Sequence, residues 1–192
     1  MAGIPYAARE SIDPLVYSGF LGLKKRIMDI TFSAATEADA RALAALHNAV
    51  AEDLTRRHGH GPWSSPTTEN GVLFGLRQSR ILLALSGDTI VATMRLFTKK
   101  PWAIDRTYFT PVKKALYLTH MAVIPALQRQ GIGRLLIAEA ARQTRSWPAE
   151  AIRLYAYDAD AGAGAFYAKC GFKERGRVTY RNTPLIYFEM LL

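Results

Sequence analysis

The chain is short of cysteine, of long apolar runs and of acidic residues, and each shortage narrows what it can be. Its one cysteine, Cys170, excludes an intramolecular disulfide and any cysteine-rich metal site. A single thiol suits a reducing compartment, and the cytoplasm is the expected location. No run of about eighteen apolar residues occurs, so neither a membrane span nor a membrane partner is expected. The fairly apolar residues 14–23 are followed, not preceded, by Lys24, Lys25 and Arg26, the wrong order for a secretory signal. Sixteen acidic residues face 25 basic ones, a formal charge of +9. That balance favours an anionic partner: nucleic acid, acidic membrane or a phosphorylated cofactor. No nucleic-acid motif accompanies the charge, so nucleic acid is not the expected partner. The competing reading is a solvated basic surface, which could account for much of the excess.

What is present reads as globular. The 192 residues are 49% hydrophobic, which fits one domain with a sizeable core. Residues 1–27 read as an extension, with Pro5, Pro14, Gly19 and the basic cluster at 24–26. Leu15, Val16, Tyr17, Phe20, Leu21 and Leu23 could pack on the domain as a short helix or arm. Met28 stands directly before the first clear strand, and the extension is either accessory or upstream of the natural start; the sequence leaves both open.

Residues 29–33 predict a strand. Thr36, with Asp39 three residues on, comes close to a capping box. It precedes an amphipathic helix expected over 37–54, on which Leu43, Leu46, His47 and Val50 recur at helical spacing. Residues 56–63 read as loop by composition, and 69–78 as a shorter helix. The runs 80–86 and 89–97, joined by Gly87-Asp88, predict a hairpin. A long aromatic-bearing connection fills 98–115. Then come a strand at 116–123, a helix from about Gly131 to Trp147, a strand at 152–157 and a small-residue loop. A short helix holding Phe166 and Tyr167 ends at Gly171. Strands at 173–180 and 185–191, joined by residues 181–184, close the chain. The order is mixed α/β, and it implies a largely antiparallel sheet with a strand–helix–strand unit in its middle.

The chemistry concentrates in residues 116–134, where an apolar strand runs through a basic, glycine-rich turn into a helix. The first N–H groups of a helix lack intrahelical partners and carry partial positive charge. Gly131 and Gly133 bring no side chain, so a phosphate could approach the backbone closely. Gln128, Arg129 and Arg134 add side-chain donors. This is not a phosphate-binding Walker loop, since no Gly-Lys-Ser/Thr follows, and the full Gly-x-Gly-x-x-Gly of a dinucleotide site is missing.

The turn does match Gln-x-x-Gly-x-Gly (Gln128, Gly131, Gly133) after a strand ending Met-Ala-Val, and so resembles the acetyl-CoA signature of the GNAT N-acetyltransferase superfamily. Residues 163–172, Ala-Gly-Ala-Phe-Tyr-Ala-Lys-Cys-Gly-Phe, resemble that family's helix motif Ala-x-x-Phe-Tyr-x-Lys-x-Gly-Phe, in the family's order and spacing. The likeness spans residues 29–192 and makes 28–192 the expected acetyltransferase domain. It implies the GNAT acyl-CoA N-acyltransferase fold, α/β (α+β), a mixed and mostly antiparallel central sheet flanked by helices. Acetyl-CoA, the implied co-substrate, would lie in a V-shaped opening between strands 116–123 and 152–157. Backbone groups around Met121, Ala122 and Val123 would pair with the pantetheine arm, and one N–H would polarise the thioester carbonyl. The turn of Gln128, Arg129, Gln130, Gly131, Ile132, Gly133 and Arg134 would hold the pyrophosphate. Phe166 and Asp160 are the remaining candidate contacts. The family often has asparagine where Asp160 stands, and an ionised aspartate offers acceptors only. Asp158 and Asp160 are therefore expected to cap the helix of Phe166 instead.

The implied reaction is direct attack by a primary amine on the acetyl thioester, with no metal. Tyr167 matches the family's usual acid, and a phenol carries its proton without help; the other reading is a core tyrosine beside Phe166. His120 is the candidate base. Strand alternation puts it on the face opposite Met121 and Val123, with Tyr117 on their side, unless a bulge upsets the count. The competing reading is a packed or surface histidine. Glu52 and Asp53 are further base candidates, or a solvated helix end. His58 and His60 resemble a metal pair only superficially, and Cys170 reads as packing. The acceptor is expected to be a small-molecule amine. Its site should form from residues 37–78, 98–115 and 181–184, which hold Arg56, Arg57, Arg106, Arg181, Trp63, Trp102 and Tyr108. Those arginines suit an acceptor with a carboxylate or phosphate and argue against a polyamine. A protein or peptide N-acetyltransferase with an open groove and a non-catalytic acyl-CoA-binding regulator are the competing functions. A homodimer is left open.

Overall fold

Alternating apolar residues start the fold at β1 (Ile30–Ala34), where Ile30 and Phe32 point inward. A computed structural model describes residues 29–192, so the extension at 1–27 and Met28 lie outside the described residues. Thr36 and Asp39 close a reciprocal cap: the Thr36 N–H donates to Asp39 Oδ2 at 2.7 Å. Helix α1 (Ala40–His58) follows, burying Ala40, Leu43, Ala44 and Leu46. It runs four residues beyond the predicted end at 54. Arg56 and Arg57, read as loop by composition, instead extend the helix by pairing back to Asp53 three and four residues earlier. Helix α2 (Glu69–Gln78) is capped by Thr68, whose hydroxyl accepts from the Gly71 N–H at 3.1 Å.

Strands β2 (Arg80–Ser86) and β3 (Thr89–Phe97) make the predicted hairpin, with Gly87 at φ +59° in its turn. Residues 81–85 of β2 are all buried, as befits a strand with both faces covered. After the long connection come β4 (Ala115–Val123), α3 (Ile132–Ser146), β5 (Ala151–Tyr157), α4 (Gly164–Lys169), β6 (Lys173–Tyr180) and β7 (Thr183–Leu191). Strand β7 starts two residues earlier than expected. Arg181 and Asn182 at φ +47° and +64° form a two-residue hairpin turn by themselves, so Thr183 and Pro184 already pair with β6.

The strands form one sheet in the order β1-β2-β3-β4-β5-β7-β6. Every pairing is antiparallel except β4 with β5. One face packs Leu82, Met94, Leu118 and Leu154 against Leu136 of α3. The other packs Ile81, Leu83 and Leu85 against Leu43 of α1 and Val72 of α2. Farther along that second face, Ile104 and Phe109 of the connection cover Tyr117 and Tyr187. Each fully buried leucine contributes about 1.5–3 kcal/mol, so both helix layers are needed to hold the sheet. Buried Glu189 of β7 accepts from Arg153 of β5 at 2.9 Å and Arg175 of β6 at 2.7 Å, locking three strands on the far side of the β4–β5 seam.

Candidate active site

The seam between β4 and β5 opens part-way along. The two strands pair only from Ala115 to Tyr117 against Ala151 to Arg153, although β4 continues to Val123 and β5 to Tyr157. Ala122 and Val123 stay paired with Thr93 and Ala92 of β3 on their other side. Beyond Tyr117 a V-shaped gap is left, and the basic turn begins where β4 ends.

That turn presents backbone more than side chain. Gln128 donates its amide to the Val123 carbonyl at 3.1 Å, and Gln130 donates to Ala126 at 3.2 Å. Both glutamines therefore hold the turn's own shape, which corrects the expectation that Gln128 is an outward donor. Arg129 and Gly131 sit at φ +61° and +93°, reversing the chain into α3. The N–H groups of residues 129–133 donate to nothing among the described residues. A Cβ on Gly131 would meet nothing within 4 Å. Arg129 and Arg134 are exposed beside this cradle, and Ile132 is buried beneath it. Chemically the cradle is an anion site of the kind a helix N-terminus makes. Gly133 serves a different end from the one expected of it. A Cβ there would lie 3.0 Å from Phe166 and 3.3 Å from Met121, so its bareness makes room for the protein's own side chains.

Gly133 is thus where the two sequence motifs touch. Helix α4 follows Phe166 with Tyr167, which is 8% exposed, its ring packed among Phe166, Phe172 and Phe188. Its hydroxyl points to Met121 Sδ at 3.9 Å. Burial raises its pKa well above the ordinary phenol range, so the hydroxyl keeps its proton at any physiological pH. The helix is not capped by an aspartate: its N-cap is Ala163, without a side-chain bond. Asp158 is held instead by Arg177 at 2.8 and 2.9 Å, and Asp160 is exposed. Cys170 is half-buried against the core, and burial raises its thiol pKa.

On the opposite side of β4, the pairing with β3 slips between Thr93 and Arg95. His120 sits at this bulge with φ +49°, a left-handed backbone that few non-glycine residues adopt. The bulge corrects the alternation count. His120 and Met121 do face opposite ways, but Tyr117 joins the Phe109–Tyr187 cluster, away from Met121 and Val123. The exposed His120 imidazole, its Nδ1 3.0 Å from Thr119 Oγ1, lines a solvent-open cavity of about 220 Å³ bordered by α1, α2 and β3. His47 of α1 stands edge-on to it, ring centroids 6.2 Å apart. Arg95 of β3 lines the same cavity. Burial, with His120 nearby, lowers the His47 pKa to about 4. Although its side chain reaches solvent, desolvation by the surrounding cavity wall and then the Arg95 charge hold His120 below its ordinary value. Both rings are therefore neutral near pH 7.

Sequence reasoning missed Arg95 and gave His47 only a place on the apolar stripe of α1. A histidine on a buried helical face was the available signal. The cavity draws on the expected region 37–78, through residues such as Leu43, His47 and Val72, but none of the arginines and aromatics expected at the acceptor site lines it. Arg56 and Arg57 are tied to Asp53, Arg181 lies over the Tyr180 ring, and Arg106 is exposed. Trp63 packs edge-on to Tyr157, Tyr108 to Tyr187, and Trp102 is 85% exposed. Asp53 is consumed by its arginines, and Glu52, His58 and His60 are exposed. Among the described residues no group of three His, Cys, Asp or Glu is placed to hold a metal ion, and no helix is long and apolar enough to cross a membrane.

A family model described as the acetyltransferase (GNAT) family matches residues 42–172. A sequence search of curated proteins finds no match. Ribosomal-protein-alanine N-acetyltransferase from Brucella melitensis superposes with a TM-score of 0.64 at 20% identity, over 84% of this chain and 99% of that one. YncA from Salmonella typhimurium, solved with its cofactor acetyl-CoA, gives 0.62 at 16%, over 85% of this chain and 94% of that one. IAA acetyltransferase from Bacillus cereus gives 0.56 at 14%, over 85% and 99%. At these identities the likeness is one of fold.

Proposed function

The chain belongs to the GNAT family of acetyltransferases and takes acetyl-CoA as its acetyl donor, and from that premise we propose that it acetylates the primary amine of a small molecule by direct attack. The observation that carries this reading is the arrangement about β4. The Tyr167 hydroxyl reaches Met121 on one side of the strand, the neighbouring His120 faces a cavity on the other, and the gap to β5 opens beside both.

The cradle at residues 129–133 takes the pyrophosphate of acetyl-CoA through backbone N–H groups, with Arg129 and Arg134 adding charge. The open backbone of Met121, Ala122 and Val123 receives the pantetheine arm and stabilises the carbonyl oxygen as negative charge develops. Phe166 supports the turn at Gly133. Asp160 is at most a peripheral contact, since it is exposed. Neutral His120 accepts the proton that the attacking amine sheds. As the carbon–sulfur bond breaks, the thiolate takes its proton from Tyr167, and free CoA and the N-acetyl product leave. The modest volume of the cavity, about 220 Å³, supports a small acceptor. Residues 28–192 form the catalytic domain, and the protein works in the cytoplasm.

The test is CoA release from acetyl-CoA across a panel of small amines, peptides and polyamines. Turnover confined to peptides would move the acceptor to a protein, and none at all would favour a binding regulator. With an active small amine, kcat/KM is expected to rise with pH through the lowered pKa of His120 and then level off; His120→Gln should remove that limb.

A further inference from the structure

Most arginines fixed in this fold have a carboxylate. Arg153 and Arg175 share Glu189, Arg177 holds Asp158 and Glu174, and Arg56 and Arg57 share Asp53. Arg95 differs. It is half-buried, its Nε donates to Ser79 Oγ at 2.6 Å, and its guanidinium lies 5.4 Å from the Phe97 ring centre. Among the described residues its two terminal amino groups donate to nothing, and no Asp or Glu lines the cavity it enters. Glycine at position 75 of α2 leaves it space, since a Cβ there would lie 3.4 Å from Arg95 Nη1. Burial lowers even this group's pKa, with no carboxylate to offset it. A partly desolvated cation with free donors and no carboxylate is costly to keep unless an anion meets it.

Building on the acetyl-transfer reading, we propose that Arg95 is the specificity residue of the acceptor site: it binds the acceptor's carboxylate, and the acceptor is an amino acid or close analogue whose amine lies beside His120. The guanidinium fork matches a planar carboxylate. His47 and His120 are neutral, so the cavity offers a single positive charge, which suits a monoanion better than a phosphate dianion. Both ends of the acceptor must fit within about 220 Å³, below the roughly 300–1,000 Å³ of drug-sized sites. A polyamine would set a second cation against Arg95.

The experiment measures binding and turnover side by side on the full chain. Calorimetric titration of a panel of amino acids, and of the primary amide of each, reads the anion site without requiring catalysis. Binding of the preferred acid should exceed that of its amide by on the order of 10- to 100-fold. Arg95→Gln should erase that preference and raise the acceptor KM by a similar factor, leave the KM for acetyl-CoA unchanged, and keep a native melting transition; Arg95→Lys should restore part. Equal binding of acid and amide, no binding of any acid, or equal losses for both in Arg95→Gln would overturn the assignment. The comparison of acid and amide on the unmodified protein stands even if the variants fail to fold. Arg95-dependent binding of acids without any acetyl transfer would retain the anion site and reject the transfer reading.

Discussion

On the side of β4 that carries Met121, the groups offered to a ligand are the N–H groups of residues 129–133 and one phenol, that of Tyr167. On the side that carries His120 they are side chains from three elements: His47 from α1, Arg95 from β3 and His120 itself. A surface of backbone can change its side chains and keep its ligand, whereas a surface of side chains changes its ligand with each substitution. The first side is thus suited to an invariant donor, acetyl-CoA. The second can be rebuilt for a new acceptor while the sheet and the turn stay as they are. Breaking each side separately should give separable kinetic defects.

The largest effect is expected from Tyr167→Phe. The ring stays packed among Phe166, Phe172 and Phe188, and the hydroxyl gives up only a weak interaction with Met121 Sδ. Stability should change little, because a buried hydroxyl with so poor an acceptor is removed rather than orphaned. If the phenol protonates the leaving thiolate, kcat should fall by roughly 10²–10⁴-fold with the KM for acetyl-CoA nearly constant. Steady-state kinetics decide it: an unchanged kcat would return Tyr167 to the core and leave the donor side with backbone alone.

This asymmetry also governs how much was legible beforehand. Strand–turn–helix units are local, so the hairpin of β2 and β3, the α2 span and the start of α3 follow from residues adjacent in sequence. The cradle proposed for the donor is local too, and its glycines announce it. The roles within it were less legible: Gly133 yields to Phe166 from more than thirty residues away, and Gln128 turns inward because the end of β4 needs a donor. The cavity proposed for the acceptor had no local signature. Its polar groups converge only after the sheet forms, and the bulge that turns His120 toward His47 involves no glycine or proline. The sequence pointed instead to Arg56, Arg57 and Trp63, which local ion pairing and ring packing consume.

The second expected effect concerns the cost of the His120 side. His47 has its pKa lowered to about 4 by burial first and by His120 second. Among the described residues no carboxylate lines the cavity; Arg95 and His120 are the other groups there that carry or can gain charge. The unfolded chain takes up a proton near pH 6.5, while the folded chain resists until about 4. In that window the unfolded state binds more protons, so stability falls as pH drops from about 6.5 to 4 and loses no more from this group below that. The loss is on the order of 2–3 kcal/mol. Urea unfolding at pH 7 and pH 4.5 measures it. His47→Gln should flatten the dependence; an identical slope in the variant would place the acid sensitivity elsewhere.

The smallest effect separates the two glycines of the turn. Gly131 has φ +93° and open space around its missing Cβ, so Gly131→Ala adds backbone strain of about 1 kcal/mol and no collision. The easiest relief is a rotation that tilts the N–H groups of residues 129–133 out of line, so binding of acetyl-CoA should weaken by roughly 5-fold, a comparable free energy. Gly133→Ala instead pushes on Phe166 from 3.0 Å. Its strain passes to the ring that packs on Tyr167, so this variant should lose melting temperature as well as donor affinity. Neither should alter the preference for an amino acid over its amide, which belongs to the other side of β4. Calorimetry with acetyl-CoA and with the acceptor pair checks both, and a Gly131→Ala variant that lost its acid preference would mean that the two sides are coupled through the bulge at His120.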